Sequence, residues 1–305
     1  MIGVVLEGVG GVYRVHLGDG EEVEAYLRGR IKREVRTGER VVAGDQVTVA
    51  RTKGGEGWTI EEVEPRRTEL VRAGMRGRRP KLVAANVDQV LVVIAAAQPS
   101  FNPEIADRFL VLSEGSGIAP VLVINKMDLL EGQSGAGGKD PWDLYREIGY
   151  PVVACSALSG AGLAELHQLM QGKVSVLAGP SGVGKSSLLN ALHPELDLRT
   201  QPVSSRKGRG RHTTVSARLL ILDRNVRVID TPGFSEVKSW QLSAQELGEC
   251  FPEIRERAWE CRFRGCSHQH EPGCRIMEAV EAGDMAESRY ESYLKLLEAQ
   301  DTQPR

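Results

Sequence analysis

Apolar and polar positions alternate along short stretches of the first 65 residues. Val12-Tyr-Arg-Val-His-Leu17, Glu22-Val-Glu-Ala-Tyr-Leu27 and Gln46-Val-Thr-Val-Ala50 each repeat with period two, the pattern of strands with one buried face. Gly18-Asp-Gly20, Gly44-Asp45 and Gly54-Gly55 supply turns between them. Five or so short strands in this length predict a small closed barrel, and the OB-fold fits best. From about residue 82 the pattern changes. Apolar runs at 90–95, 120–124, 151–154 and 174–178 alternate with helical patterns at 102–114, 142–148, 163–171 and 185–192. That alternation predicts a mostly parallel sheet with helices on both faces. After Glu236 the periodicity is helical, with apolar Ile276, Met277, Val280, Tyr290, Tyr293, Leu294 and Leu297, and Gly283-Asp284 splitting the run in two.

Candidate chemistry enters between the fourth apolar run and its helix. Gly179-Pro-Ser-Gly-Val-Gly-Lys-Ser186 has the G-x-x-x-x-G-K-[ST] spacing of a phosphate loop. Glycines let backbone N–H groups curl around an anion, so Gly179, Ser181, Gly182, Val183, Gly184, Lys185, Ser186 and Ser187 are the candidate phosphate contacts. Lys185 suits the β- and γ-phosphates, and the Ser186 hydroxyl suits Mg²⁺. Asp230-Thr-Pro-Gly233 follows another apolar run. There Asp230 suits the metal through water, and the Gly233 N–H suits the γ-phosphate.

Asn125-Lys-Met-Asp128 names the base. The Asp128 carboxylate can accept from the N1–H and exocyclic amine of guanine, and adenine offers no such donor pair. Asn125 can bond the base edge and tie this loop to the phosphate loop, while the Lys126 stem can lie on the base face. Ser156 and Ala157 are placed for a backbone contact to the guanine oxygen. Taken singly, these motifs are also ordinary strand-to-turn junctions. Their order is informative: the base motif precedes the phosphate loop, the reverse of an ordinary GTPase. The central domain therefore reads as an α/β P-loop GTPase, circularly permuted, that uses GTP/GDP and Mg²⁺.

The 200–215 loop, with Arg206-Lys-Gly-Arg-Gly-Arg-His-Thr-Thr214, reads as the switch that completes the magnesium shell. Thr214 is the first candidate and Thr213 the alternative. Phe234 stands where many GTPases place a glutamine that orients water. Intrinsic hydrolysis is then expected to be slow, with His212 the candidate catalytic residue beside Lys185 and Thr214. A group supplied by a partner can accelerate such hydrolysis about 10⁵-fold.

Three of the five cysteines fall in Cys261-x₄-Cys266-x-His268-x₅-Cys274. Cys₃His suits a closed tetrahedral structural Zn²⁺. His270 is the alternative imidazole, and disulfides are the competing explanation of the thiols. Cys155 and Cys250 are expected to be buried or neutral residues.

Net charge is −2, so no global basic character points to nucleic acid. Locally, Arg66, Arg67, Arg72, Arg76, Arg78, Arg79 and Lys81 form the densest basic run, suited either to phosphates or to a solvated linker. The barrel offers few aromatics for stacking bases: Tyr13, Tyr26 and Trp58. No apolar run approaches a membrane span and no signal-peptide core is present, so a cytoplasmic protein without a membrane partner is expected.

The permuted order, the barrel in front and the Cys₃His loop behind together resemble the RsgA (YjeQ/EngC) family. The resemblance covers nearly the whole chain and is sharpened by Gly210-Arg-His-Thr-Thr214 and the Cys/His spacing. One departure is Val215, where many members carry a third threonine. The resemblance implies an OB-fold barrel that binds RNA over 1–67, a permuted GTPase domain over 68–238 and a helical zinc-binding domain over 239–305. It also implies a monomer that binds the small ribosomal subunit and its rRNA rather than DNA. GTP hydrolysis would occur there, with His212 acting on the water. The rival readings are a GTP-gated RNA clamp with incidental hydrolysis and a switch for a protein partner. Because the segment 230–236 runs directly into the helical domain, the GTP and GDP states are expected to differ in how barrel and helical domain are arranged.

Overall fold

The computed structural model describes residues 1–29, 31, 40–52, 54–55, 57–72, 81–130, 139–196, 217–231 and 242–301. They fall into two compact units, Met1–Gln89 with Met170–Leu177 and Ser205–Phe234, and Val90–Leu169 with Ala178–Ser204 and Ser235–Arg305.

In the first unit β1 (Ile2–Val9), β2 (Val12–Leu17), β3 (Glu22–Leu27), β4 (Gln46–Arg51) and β5 (Trp58–Val63) close into a barrel in the order β1-β2-β3-β5-β4. Five-strand closure removes the exposed edges that such short strands would otherwise present. Period-two side chains fill its interior, among them Val5, Val15, Leu17, Ala25, Val47, Val49 and Ile60. Tyr13 and Trp58 belong to this core, and the Arg51 guanidinium covers the Trp58 ring at 5.0 Å. Of the three aromatics expected to be available for stacking, only Tyr26 is exposed.

The start of the basic run is not a free cationic surface. The buried Asp45 holds Arg66 at 2.7 Å and Glu69 holds it at 3.0 Å, while Arg67 pairs with Asp88 at 2.9 Å. The run leads into an antiparallel pair, β6 (Glu69–Arg72) and β7 (Lys81–Ala85), where a linker was the alternative to phosphate contacts. Residues 73–80 lie outside the described residues.

Each unit contains three further strands. In the first they are β11 (Lys173–Ala178), β13 (Val226–Asp230) and β12 (Arg218–Ile221), with β11 and β13 parallel and β12 antiparallel. In the second they are β8 (Gln89–Ala95), β9 (Ala119–Asn125) and β10 (Val152–Ala154). β8 is buried along its whole length and β9 from its second residue on, as expected of strands covered on both faces. The helices are α1 (Pro103–Gly115), α2 (Asp143–Ile148), α3 (Leu163–Met170) and α4 (Lys185–Leu192). α1 starts at Asn102, whose side chain accepts from the Ile105 N–H, with Pro103 at the first helical position.

The second unit also contains α5 (Ala244–Glu249), α6 (Pro252–Arg255), α7 (Arg275–Ala282) and α8 (Glu287–Asp301). Gly283, left-handed at φ 79°, ends α7 as its sequence position predicts. These helices bury Leu247, Phe251, Ile254, Ile276, Tyr293 and Leu297 together with Cys266 and Cys274. Among the described residues no helix is long and apolar enough to cross a membrane.

Candidate guanine-nucleotide site and cysteine-histidine centre

The phosphate loop joins β11 to α4, and its shape explains its glycines. Gly179, Gly182 and Gly184 adopt φ of 140°, 84° and 94°, a region that costs other residues strain. A Cβ on Gly179 would stand 2.1 Å from the Val93 carbonyl oxygen. Lys185 curls back so that its ammonium donates to the Gly179 and Pro180 carbonyls at 2.6 and 2.8 Å. Ser186 and Ser187 lie in the first turn of α4, where N–H groups have no partner within the helix. Ser181 is exposed on the loop and Val183 is buried beneath it.

The base motif leaves the end of β9. Asn125 is buried, and its amide joins three segments distant in sequence. Its Nδ2 donates to the Val183 carbonyl at 2.8 Å, and its Oδ1 accepts from the Ala157 N–H at 3.2 Å. Lys126 takes a left-handed φ of 65°, and its ammonium donates to the Gln98 carbonyl. The Ser156 hydroxyl donates to Asp128 Oδ1 at 2.5 Å and accepts from the N–H groups of Leu158 and Ser159 at 3.1 and 3.0 Å. That bond orients the carboxylate and engages one of its two oxygens. The structure thus brings Asn125, Asp128, Ser156, Ala157, Val183 and Gly184 together. Asp230 closes β13 in the first unit, with the buried Thr231 after it. His212, Thr213, Thr214, Gly233 and Phe234 lie outside the described residues.

The join is tight enough to test. A Cβ at position 184 would meet Asn125 Nδ2 at 2.4 Å, on a backbone already at φ 94°. Gly184→Ala is expected to weaken GDP binding about ten- to a hundredfold, the equivalent of about 1.4–2.8 kcal/mol. Calorimetric titration of the folded variant measures it.

In the same unit, the ligand atoms of Cys261, Cys266, His268 and Cys274 lie within 4.8 Å of one another. His268 Nδ1 stands 3.7 Å from Cys261 Sγ and 3.4 Å from Cys274 Sγ, spacings that suit donors around one tetrahedral cation. His268 is buried and left-handed at φ 57°, whereas His270 is exposed and outside the cluster. No disulfide links the cysteines. Cys155 and Cys250 are buried, and burial pushes both thiols up to about 12, so they are poor nucleophiles.

Second contacts hold the loop that carries these donors. Glu271 accepts from the Ser267 hydroxyl and N–H at 2.6 and 2.7 Å and from the Gln269 and His270 N–H groups. The Tyr290 and Tyr293 hydroxyls of α8 donate to the His268 and Ser267 carbonyls at 2.6 and 2.9 Å. Glu271 is not singled out by the motif spacing. Its signal was local: an acid inside a loop whose N–H groups needed an acceptor.

The RsgA GTPase family model matches residues 63–240. The chain belongs to the RsgA GTPase family. It is similar to the small ribosomal subunit biogenesis GTPase RsgA of Gemmatimonas aurantiaca, 46% identical over 299 residues, covering 96% of this chain and 95% of that protein. The protein of the same name from Geobacillus kaustophilus is 41% identical over 304 residues, covering 99% of each. Among solved structures, YjeQ from Thermotoga maritima superposes with a TM-score of 0.79 at 35% identity, covering 99% of each chain. YloQ, described as a circularly permuted GTPase, gives 0.76 at 33%, covering all of this chain and 96% of the other. The RsgA family thus accounts for the sequence in which the motifs occur and for the N-terminal barrel.

Proposed function

We propose that this chain is a GTPase of small-ribosomal-subunit maturation that hydrolyses GTP to GDP and phosphate when engaged on the subunit and its rRNA. The observation that carries the guanine assignment is the Asn125 amide, which joins the base motif, the Ser156-Ala157 loop and the phosphate loop in one place. The names of its relatives, small ribosomal subunit biogenesis GTPases, support the ribosomal role.

Each residue then has a part. Asp128, with one oxygen held by Ser156, presents the other to the guanine N1–H and amine. Gly179 to Ser187 surround the phosphates, and Lys185 exchanges its loop carbonyls for phosphate oxygens. Ser186, Asp230 and a switch threonine, Thr214 or Thr213, would hold Mg²⁺, which neutralises charge developing on the transferred phosphoryl group. His212 orients the attacking water, and Gly233 senses the γ-phosphate. Cys261, Cys266, His268 and Cys274 would hold one structural Zn²⁺. The protein acts as a cytoplasmic monomer.

Asp128→Asn is expected to weaken GDP binding about a hundredfold or more, because an amide presents a donor toward a donor. Xanthosine diphosphate, which carries a carbonyl in place of the amine, is expected to lose less or to gain, and competition binding separates the two. Turnover is checked by phosphate release with and without purified small subunits, with His212→Ala alongside. Strong stimulation lost in the variant is expected. Phe234, where an orienting glutamine is usual, favours a second reading, a GTP-gated clamp with incidental hydrolysis. Tight GTP binding without any stimulation supports that reading instead.

A further inference from the structure

Buried polar and aromatic contacts inside the second unit connect helix α8 to the loop beside the base motif. Arg289 on α8 is 1% exposed. Its Nε and Nη2 donate to the two Glu253 carboxylate oxygens at 2.6 and 3.1 Å, and its Nη1 donates to Asp107 Oδ1 on α1 at 2.5 Å. That same Asp107 oxygen accepts from the Tyr145 hydroxyl on α2 at 2.8 Å. Burial first, then the Asp107 charge, pushes the Tyr145 phenol up, so it stays a donor. The Tyr145 ring meets Phe101 edge-on, with centroids 6.1 Å apart, and Phe101 meets Trp142 at 5.7 Å.

Phe101 ends a short loop that touches the base motif twice. Its N–H donates to the Ala96 carbonyl at 3.4 Å, and the Ala96 N–H donates to the Asn125 carbonyl at 2.8 Å. Gln98 in the same loop receives the Lys126 ammonium. Lys126 itself sits in a left-handed conformation that only its surroundings can hold. Residues 96–101 therefore frame Asn125 and Lys126, and the Asp107–Tyr145–Phe101 stack fixes one end of that frame.

We propose that Arg289, acting through Asp107, Tyr145 and Phe101, is a positioning residue that sets guanine-nucleotide affinity from the C-terminal helix. The inference rests on the assignment of guanine to Asn125, Lys126 and Asp128. It makes the affinity depend on how α8 is seated. A partner that pulls on the cysteine-histidine helices would then change nucleotide affinity, and nucleotide would change the hold on that partner by the same factor.

Two mild variants test it without emptying the core. Tyr145→Phe keeps the ring and the Arg289–Asp107 pair, and removes one hydroxyl. Arg289→Lys keeps the charge but loses the planar fork that binds Glu253 through two nitrogens. For folded protein, calorimetric titration is expected to show GDP bound about five- to tenfold more weakly in each. Inorganic pyrophosphate, which engages only the phosphate loop, is expected to bind as it does to the unsubstituted chain. Hydrogen exchange supplies a second readout: GDP is expected to slow amide exchange along α8, and Tyr145→Phe to shrink that protection. GDP affinity unchanged in both variants overturns the proposal. Equal weakening of GDP and pyrophosphate also overturns it, because that is a general loss of fold. If the unsubstituted chain binds pyrophosphate but shows no preference for GDP over ADP, the guanine assignment falls and this inference with it.

Discussion

Stripping the cation from the cysteine-histidine centre is expected to unfold the helices around it. Residues 261–274 contain no helix or strand of their own. Their order comes from the four donors, from Glu271 and from the two tyrosine hydroxyls. Cys266 and Cys274 also belong to the core that holds Leu247, Phe251, Ile254, Ile276, Tyr293 and Leu297. A structural Zn²⁺ contributes an apparent binding free energy of about 10–16 kcal/mol in small domains, comparable with or larger than the whole stability of many proteins. Dialysis against a strong chelator should therefore lower the melting temperature steeply and reduce helical circular dichroism, with recovery on adding zinc. Cys274→Ser should reproduce the loss without chelator. Elemental analysis that finds no zinc, with stability untouched by chelation, would count against the centre altogether.

The second large effect is expected at Arg289. Replacing it by methionine fills much of the same volume but leaves Asp107 and Glu253 without their cation in a buried setting. Breaking a buried pair from one side costs about 3–5 kcal/mol, because a charge is left uncompensated. A shift of that size is read from the midpoint of a urea titration with an unchanged slope. Adding Asp107→Asn and Glu253→Gln to Arg289→Met should recover much of the loss, since the penalty lies in the stranded carboxylates rather than in a missing attraction. A single variant as stable as the original chain would show that water reaches the network readily. The Arg289 guanidinium also lies 4.5 Å from the centre of the Phe251 ring, a contact methionine keeps in part.

What the sequence disclosed and what it hid follow from the range of the interactions. The phosphate loop, the base motif and the metal spacing are local, and each carries its geometry in consecutive residues. Gly179, Gly184 and Asn125 stand out in the sequence because the two motifs call for those residue types, and the structure gives both glycines positive φ and joins Asn125 to Val183 and Ala157. The barrel was legible through alternation, but its aromatics were not: Tyr13 and Trp58 are as large and as alternating as an exposed pair would be, and only closure shows that they point inward. Arg289 gave no local signal. A lone arginine on a polar helix looks solvated, and its partner Asp107 stands 182 positions away. The pairing of Arg66 and Arg67 was hidden for the same reason, since the acids that hold them, Asp45 and Asp88, are 21 residues distant in each case.

The Asp107–Arg289 bond also has a consequence for the newly made chain. Translation delivers α1 and its aspartate first, and the arginine only 182 residues later. Until then the carboxylates of Asp107 and, later, Glu253 have no cation to enter the core with, so burying them is unfavourable. The nucleotide half can collapse around its sheet while synthesis continues, but its last packed layer waits for α8 to arrive. Closing a loop of that length is slow and entropically costly. Emerging chains should therefore stay sensitive to protease within α1 and α2 until α8 has left the ribosomal tunnel, and stalled chains that end before Arg289 should remain so.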